Sequence, residues 1–281
     1  MAETRQPDQL ETYSSAAYSN LEEIVVEFLA TQQVDPVAAT VGVAGPVHDG
    51  RTDAVNLHWS VDAERLAAAL ALDMKSVAVI NDLEASAWGI ETLEPRDLAS
   101  LSDVASPERG GTIALISAGT GLGQAFITRS QVGPQVHASE GGHVEFAPRS
   151  DLESDLRSWL TRRAGHVSYE DVCSGIGLVN IYAFLRERSS EPEPTWLTRL
   201  RDHGDAAAAI SNAALDGSDA VAGEALDVMV GIYGAQAGNL ALTVTASGVS
   251  TSAAESLQRF CPACAAPCSW RPSQTKAGSR R

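Results

Sequence analysis

The sequence predicts an α/β protein organised as two domains, and three observations carry that prediction. Short β-branched runs alternate with stretches of helical periodicity along most of the chain. A polar stretch from Glu94 to Gly110 separates two such alternating halves. Each half holds an apolar run that ends on residues able to do chemistry, Asn81-Asp82 in the first and Ala118-Gly119-Thr120-Gly121-Leu122-Gly123 in the second.

Taken in order, Leu21, Ile24, Val25 and Phe28 fall at three- and four-residue spacing, which predicts an amphipathic helix over Leu21 to Ala30. Val37 to Val43 is small and apolar and stops at Ala44-Gly45-Pro46, a strand ended by turn residues. A second segment follows around Asn56 and Trp59, then a helix from Asp62 to about Leu72. Ser76 to Ile80 is too short and too β-branched for a helix, so it reads as a buried strand of a parallel sheet. Leu83 to Ile90 is helical in pattern.

The second half opens with a strand over Thr112 to Ser117, the glycine turn, and a returning strand over Gln124 to Thr128. Helices are predicted over Ser154 to Ala164, Gly175 to Arg188 and about Val221 to Val244, with Ser189 to Pro194 as an exposed loop. The expected organisation is a small α/β domain over 1–92, a connection over 93–110, a large α/β domain over 111–244, and a tail over 245–281.

Bulk composition bounds the function. A hydrophobic content of 44% over 281 residues is enough for buried cores. The formal charge of -16 would repel a phosphate backbone or an anionic bilayer over most of the surface, so neither nucleic acid nor membrane is an expected partner. With no apolar run near the roughly 20 residues a bilayer needs, and no basic-then-apolar opening, a cytoplasmic location is expected.

Cys173 stands alone in the body while Cys261, Cys264 and Cys268 crowd the tail, which is no disulfide framework. Those three thiols lack a fourth ligand, and Glu140, His143 and Glu170 match no zinc spacing, so no metal site is expected.

The glycine run Gly119 to Gly123 offers backbone N–H groups unshielded by side chains plus the Thr120 hydroxyl, as a phosphate cradle requires. The same residues serve equally as a hairpin turn that binds nothing. No P-loop pattern is present. Asp82, directly after an apolar strand, stands where ligands of open α/β sheets gather and can accept a hydroxyl proton; it can also simply cap the helix beginning at Leu83. Glu140-Gly141-Gly142-His143 places an acid and an imidazole around two glycines, suited to a polyhydroxylated ligand, and Glu170 follows in a similar run. Singly, each of these is an ordinary surface acid or a satisfied histidine.

The combination is more specific. Val79-Ile80-Asn81-Asp82-Leu83-Glu84-Ala85, the glycine run, Glu140-Gly141-Gly142-His143-Val144-Glu145-Phe146-Ala147-Pro148, and Gly165-His166-Val167-Ser168-Tyr169-Glu170 with Ser174-Gly175-Ile176-Gly177-Leu178 occur in order. Together they resemble the bacterial glucokinase family, of the hexokinase and actin-like ATPase class, over about Thr12 to Val244. Asn56-Leu57-His58-Trp59 is similar, less distinctively, to the family's small-domain sugar loop.

The resemblance implies a two-domain actin-like ATPase (ribonuclease H-like) fold and transfer of a phosphoryl group from ATP, with Mg2+, to glucose. By position it implies Asp82 as general base, Asn81, Glu140, His143 and Glu170 as sugar ligands, and Gly119, Thr120 and Gly121 facing the phosphates. It admits a homodimer without requiring one. Domain closure over the sugar would exclude water as a competing acceptor.

Both ends depart from the family pattern. Nothing before Thr12 matches the Asp-x-Gly-Gly-Thr loop with which members begin, so that loop is expected to be missing. The tail lacks the family's strand and adenosine-binding glycine turn, and its only acid, Glu255, stands against Arg259, Arg271, Lys276, Arg280 and Arg281. Lysine occurs only at Lys75 and Lys276 while arginine is plentiful, which points to a GC-rich gene. Reading such codons one base out of frame permits a glycine-rich apolar segment there, so 245–281 is expected to be a frameshift product that packs poorly. A sugar-binding remnant or sensor without nucleotide binding is the alternative function.

Overall fold

The computed structural model describes residues 8–53, 57–93, 108, 110–190, 192, 194, 196, 205–248 and 250–252. The chain divides into two compact units, Met1–Leu93 with Gln124–Glu140, and Glu94–Gly123 with Gly141–Arg281.

In the first unit α1 (Leu21–Gln32) leads to β1 (Ala39–Val43), a short antiparallel pair β2 (Arg51–Thr52) and β3 (Val61–Asp62), α2 (Ala63–Leu70), β4 (Val77–Asn81) and α3 (Asp82–Ile90). β1 and β4 pair in parallel with Ala39 opposite Val77 and Val43 opposite Asn81, as the β-branched run predicts. α2 starts where Asp62 accepts the N–H groups of Glu64 and Arg65, and it stops at Ala71, which takes a left-handed φ of 52°. Its Leu66 is buried with Val43, Val61, Val77 and Val79, each such side chain contributing about 1.5–3 kcal/mol.

The same unit holds most of β6 (Leu122–Ser130) and all of β7 (Gly133–Ser139), an antiparallel hairpin closing at Ser130 opposite Gly133. The sequence reading assigned these residues to the 111–244 domain and did not predict β7. α3 packs on β7, a tertiary contact that gathers the hairpin into the first unit. The first unit's main segment ends at Leu93, and the expected 93–110 connection lies mostly outside the described residues.

The second unit contains β5 (Ile113–Ala118), α4 (Asp151–Ala164), α5 (Gly175–Arg188), α6 (Ala206–Leu215), α7 (Ala220–Thr243) and β8 (Ser250–Ser252). Ile113 to Ile116 are all buried, the pattern of a strand covered on both faces. Leu156, Leu178, Ile181, Ile210 and Ile232 join one core from four helices. The Tyr233 hydroxyl of α7 donates to the Ile116 carbonyl at 3.0 Å, tying that helix to the strand.

The expectation of poor packing from residue 245 fails for the first part of the tail. Val244 and Ala246 pack against this core, the Gly248 N–H reaches the Thr112 carbonyl at 3.0 Å, and β8 pairs in parallel with β5. Residues 253–281, with the three clustered cysteines, lie outside the described residues.

Candidate functional site

Three sequence-predicted residues stand at strand ends of the first unit. β4 runs out at Asn81, whose Oδ1 accepts the N–H groups of Leu83 at 2.9 Å and Glu84 at 3.3 Å while its Nδ2 donates to the Gly45 carbonyl at 3.0 Å. Asn81 is therefore the helix cap, and the reading of Asp82 as the cap of a helix starting at Leu83 is corrected: Asp82 is the first helical residue. Its carboxylate is exposed at the positive end of α3, with Oδ1 accepting the Leu83 N–H at 2.9 Å. Glu140, exposed, follows the last residue of β7.

The remaining candidates meet in the second unit. After β5 the chain turns so that the Gly119 N–H donates to the Gly121 carbonyl at 2.8 Å, leaving Gly119 and Thr120 exposed. The Gly119 carbonyl accepts from the Gly175 N–H at 2.8 Å, so the first residue of α5 braces the loop. Ser174 caps that helix through the Gly177 N–H at 3.0 Å.

Glu170, in a 3-10 turn (Glu170–Val172), closes on the other side of the loop. Its Oε2 accepts the Leu122 N–H at 2.9 Å, and its Oε1 lies 3.8 Å from Nδ1 of His143. A β-carbon at Gly121 would overlap Glu170 Oε2, and one at Gly142 would overlap the Leu122 carbonyl. Glycine at both positions is what lets the loop, the acid and the 3-10 turn carrying His143 (Gly141–His143) approach one another.

The geometry thus places two groups by unit: Asn81, Asp82 and Glu140 in the first, and Gly119, Thr120, Gly121, His143 and Glu170 in the second. Sequence reasoning assigned no site role to the Leu122 N–H or Gly175, and it gave the Gly141-Gly142 pair close approach to a ligand, not to the Leu122 carbonyl. Of these, only the Ser174-Gly175 pair carried a local signal, a serine cap followed by glycine. Asn56 of the expected sugar loop lies outside the described residues.

Chemically, the second-unit cluster offers backbone N–H groups for an anion beside an acid and an imidazole for hydroxyl groups. Among the described residues no group of three histidines, cysteines or acids could hold a metal ion. Cys173 is fully buried beside the site, and burial pushes its thiol far above the ordinary range, so it supplies no nucleophile. No helix among the described residues is long and apolar enough to cross a membrane.

The family model described as glucokinase matches residues 1–250. A glucokinase from Synechocystis sp. is 39% identical over 258 residues, covering 85% of this chain and 72% of that one. One from Nostoc sp. is 38% identical over 253 residues, covering 85% and 73%. In coordinates, the crystal structure of a glucokinase from an Antarctic psychrotroph matches with a TM-score of 0.73 at 29% identity, over 89% of this chain and 74% of that one.

A glucokinase of the ROK family from Streptomyces griseus, solved with glucose and AMPPNP, shares the fold at a TM-score of 0.54 and 24% identity, over 83% and 71%. The fold is that of the actin-like ATPase class, and the sensor alternative finds no favour among relatives that are enzymes by name. With a family match from residue 1 to 250 and relatives at 38–39% identity, the chain belongs to the glucokinase family of ATP-dependent hexose kinases.

Proposed function

We propose that this chain moves the terminal phosphoryl group of ATP to the 6-hydroxyl of glucose, with Asp82 accepting the hydroxyl proton. The observation that carries the reading is Glu170, one carboxylate that touches the Leu122 N–H of the glycine loop and faces His143 of the sugar signature. In this reading Asn81, Glu140, His143 and Glu170 hold sugar hydroxyls, and Gly119, Thr120 and Gly121 face the phosphates. The N-terminus of α5 behind Gly119 adds a favourable field for anionic oxygens.

Asp82 suits a general base. Its Oδ1 is steadied by the Leu83 N–H, its backbone is fixed by the Asn81 cap, and the other oxygen is left to take a proton. Such a base contributes about 10²–10⁴-fold.

Phosphoryl transfer otherwise rests on alignment and charge neutralisation. Mg2+ bound with the ATP would supply the latter. A cytoplasmic location and a homodimer belong to the same proposal.

The test is a coupled assay of glucose 6-phosphate formation with ATP and Mg2+, across glucose, mannose and fructose, on the chain as it exists. Turnover highest with glucose supports the reading. Binding of glucose without turnover by any nucleoside triphosphate would sink it in favour of a sugar receptor.

A further inference from the structure

We propose that His166 is a positioning residue of the sugar site, setting His143 through a hydrogen bond to the His143 backbone carbonyl; this rests on the reading of His143 as a sugar ligand given above.

The segments carrying His143 and Glu170 run side by side. The Phe146 N–H donates to the Val167 carbonyl at 2.9 Å, the Tyr169 N–H donates to the Val144 carbonyl at 3.1 Å, and Glu145 and Ser168 form an antiparallel bridge. At the end of this pairing the His143 carbonyl lies 3.3 Å from Nε2 of the His166 ring. The ring's other nitrogen, Nδ1, is 2.9 Å from Glu145 Oε2, and Glu145 Oε1 is 3.0 Å from Nη2 of Arg157 on α4. A continuous line of polar contacts therefore runs from α4 through Arg157, Glu145 and His166 to the backbone of His143.

His143 needs such an anchor. It ends a three-residue 3-10 turn, which has little stability of its own. Gly142, the middle residue of that turn, lies close against the Leu122 carbonyl, and His166 meets the turn's last carbonyl. His143 Nδ1 faces Glu170 at 3.8 Å, beyond hydrogen-bond distance, and a shift of the His143 backbone changes that spacing.

The His143 carbonyl only accepts, so this contact takes the N–H on Nε2 of His166. The side chains of His166 and Glu145 are 58% and 57% exposed. Pairs so wet contribute little to folding, which makes placement, and not stability, the property that their loss alters.

The experiment measures glucose binding by calorimetry and steady-state kinetics on the full chain and on His166→Ala, His166→Gln, Glu145→Gln, the double variant H166A/E145Q, and His143→Ala as reference. A single hydrogen bond to a positioned group corresponds to about three- to tenfold in affinity. His166→Ala should raise the glucose KM and Kd by about that factor, with the KM for ATP changed by less than about twofold and the thermal midpoint by less than about 2 °C. His166→Gln keeps one donor and should recover most of the loss. The double variant should bind no worse than the weaker single one, because the two residues act in series.

Unchanged glucose binding in His166→Ala beside lost binding in His143→Ala overturns this proposal alone. A loss of affinity matched by a fall in thermal midpoint assigns His166 a structural role and overturns it too. Absence of glucose binding by the unaltered chain, or normal binding by His143→Ala, overturns the sugar-site reading and the positioning role with it.

Discussion

Glu170 accepts the backbone N–H of Leu122 at 2.9 Å, and that bond spans 48 positions of sequence. It joins the glycine loop to the segment after the sugar signature, where the same carboxylate faces His143, so the two halves of the expected chemistry share one carboxylate.

Gly121→Ala tests this joint. The new β-carbon would fall on Glu170 Oε2, the movable end of a flexible side chain, so the carboxylate swings aside and gives up the Leu122 N–H. The KM values for glucose and for ATP should rise together, each by about tenfold, the scale of one charged hydrogen bond. Because the obstruction is relieved by side-chain motion, the fold should survive. A rise confined to one substrate would show that Glu170 does not couple them.

Asp82→Asn separates chemistry from binding. The amide keeps an oxygen for the Leu83 N–H but has no basicity, so kcat should fall by about 10²–10⁴-fold while the glucose Kd shifts little. A residual kcat above about one tenth of the parent value would remove Asp82 from the role of base.

Much of this was legible before any coordinates, and the exceptions are physical. β4 and α3 could be read because four apolar residues run straight into Asn81-Asp82, a strand ended by a residue built to cap a helix. β7 could not, because Pro134 and His137 break the expected apolar alternation, and its pairing with β6 and packing against α3 supply what the local sequence lacks. α6 is mostly alanine and offers no periodic stripe of large residues. Residues 245–248 and 250–252 looked foreign by composition, yet Gly248 bonds to Thr112 and Ser250–Ser252 pair with β5, because position in the sheet overrides local character. For the site, motif order named the residues, whereas the bonds from Glu170 to Leu122 and from Gly175 to Gly119 depend on the fold and have no local signal.

A stability prediction concerns Asp219. It caps α7 through the Val221 and Ala222 N–H groups at 2.9 and 3.3 Å, and its Oδ2 accepts the Tyr182 hydroxyl of α5 at 2.8 Å, all in a buried setting. Asp219→Ala removes a cap worth about 1 kcal/mol and takes a buried partner from Tyr182, a further ~1–3 kcal/mol. Urea denaturation should show a total loss of about 2–4 kcal/mol. Tyr182→Phe leaves the cap intact and should cost less than Asp219→Ala; equal costs would mean that capping contributes nothing.

Cys173 makes the last prediction, one of pH. Its side chain is fully buried, and desolvation alone pushes the thiol far up, so the folded protein holds the proton through mildly alkaline solution. The unfolded chain releases that proton near the ordinary thiol value of about 8.5. Above that pH the folded state binds more protons than the unfolded one, so stability falls as pH rises, by up to about 1.4 kcal/mol per pH unit from this group. Below it the contribution is constant. Cys173→Ala removes the titration, at the cost of a small cavity that is independent of pH. The unfolding free energies of the parent and Cys173→Ala should therefore differ by a fixed amount up to about pH 8 and converge above about pH 9. A difference that stays constant across that range would mean that water reaches the thiol, and the packing of the turn at Glu170–Val172 against the start of α5 would be looser than its bonds indicate.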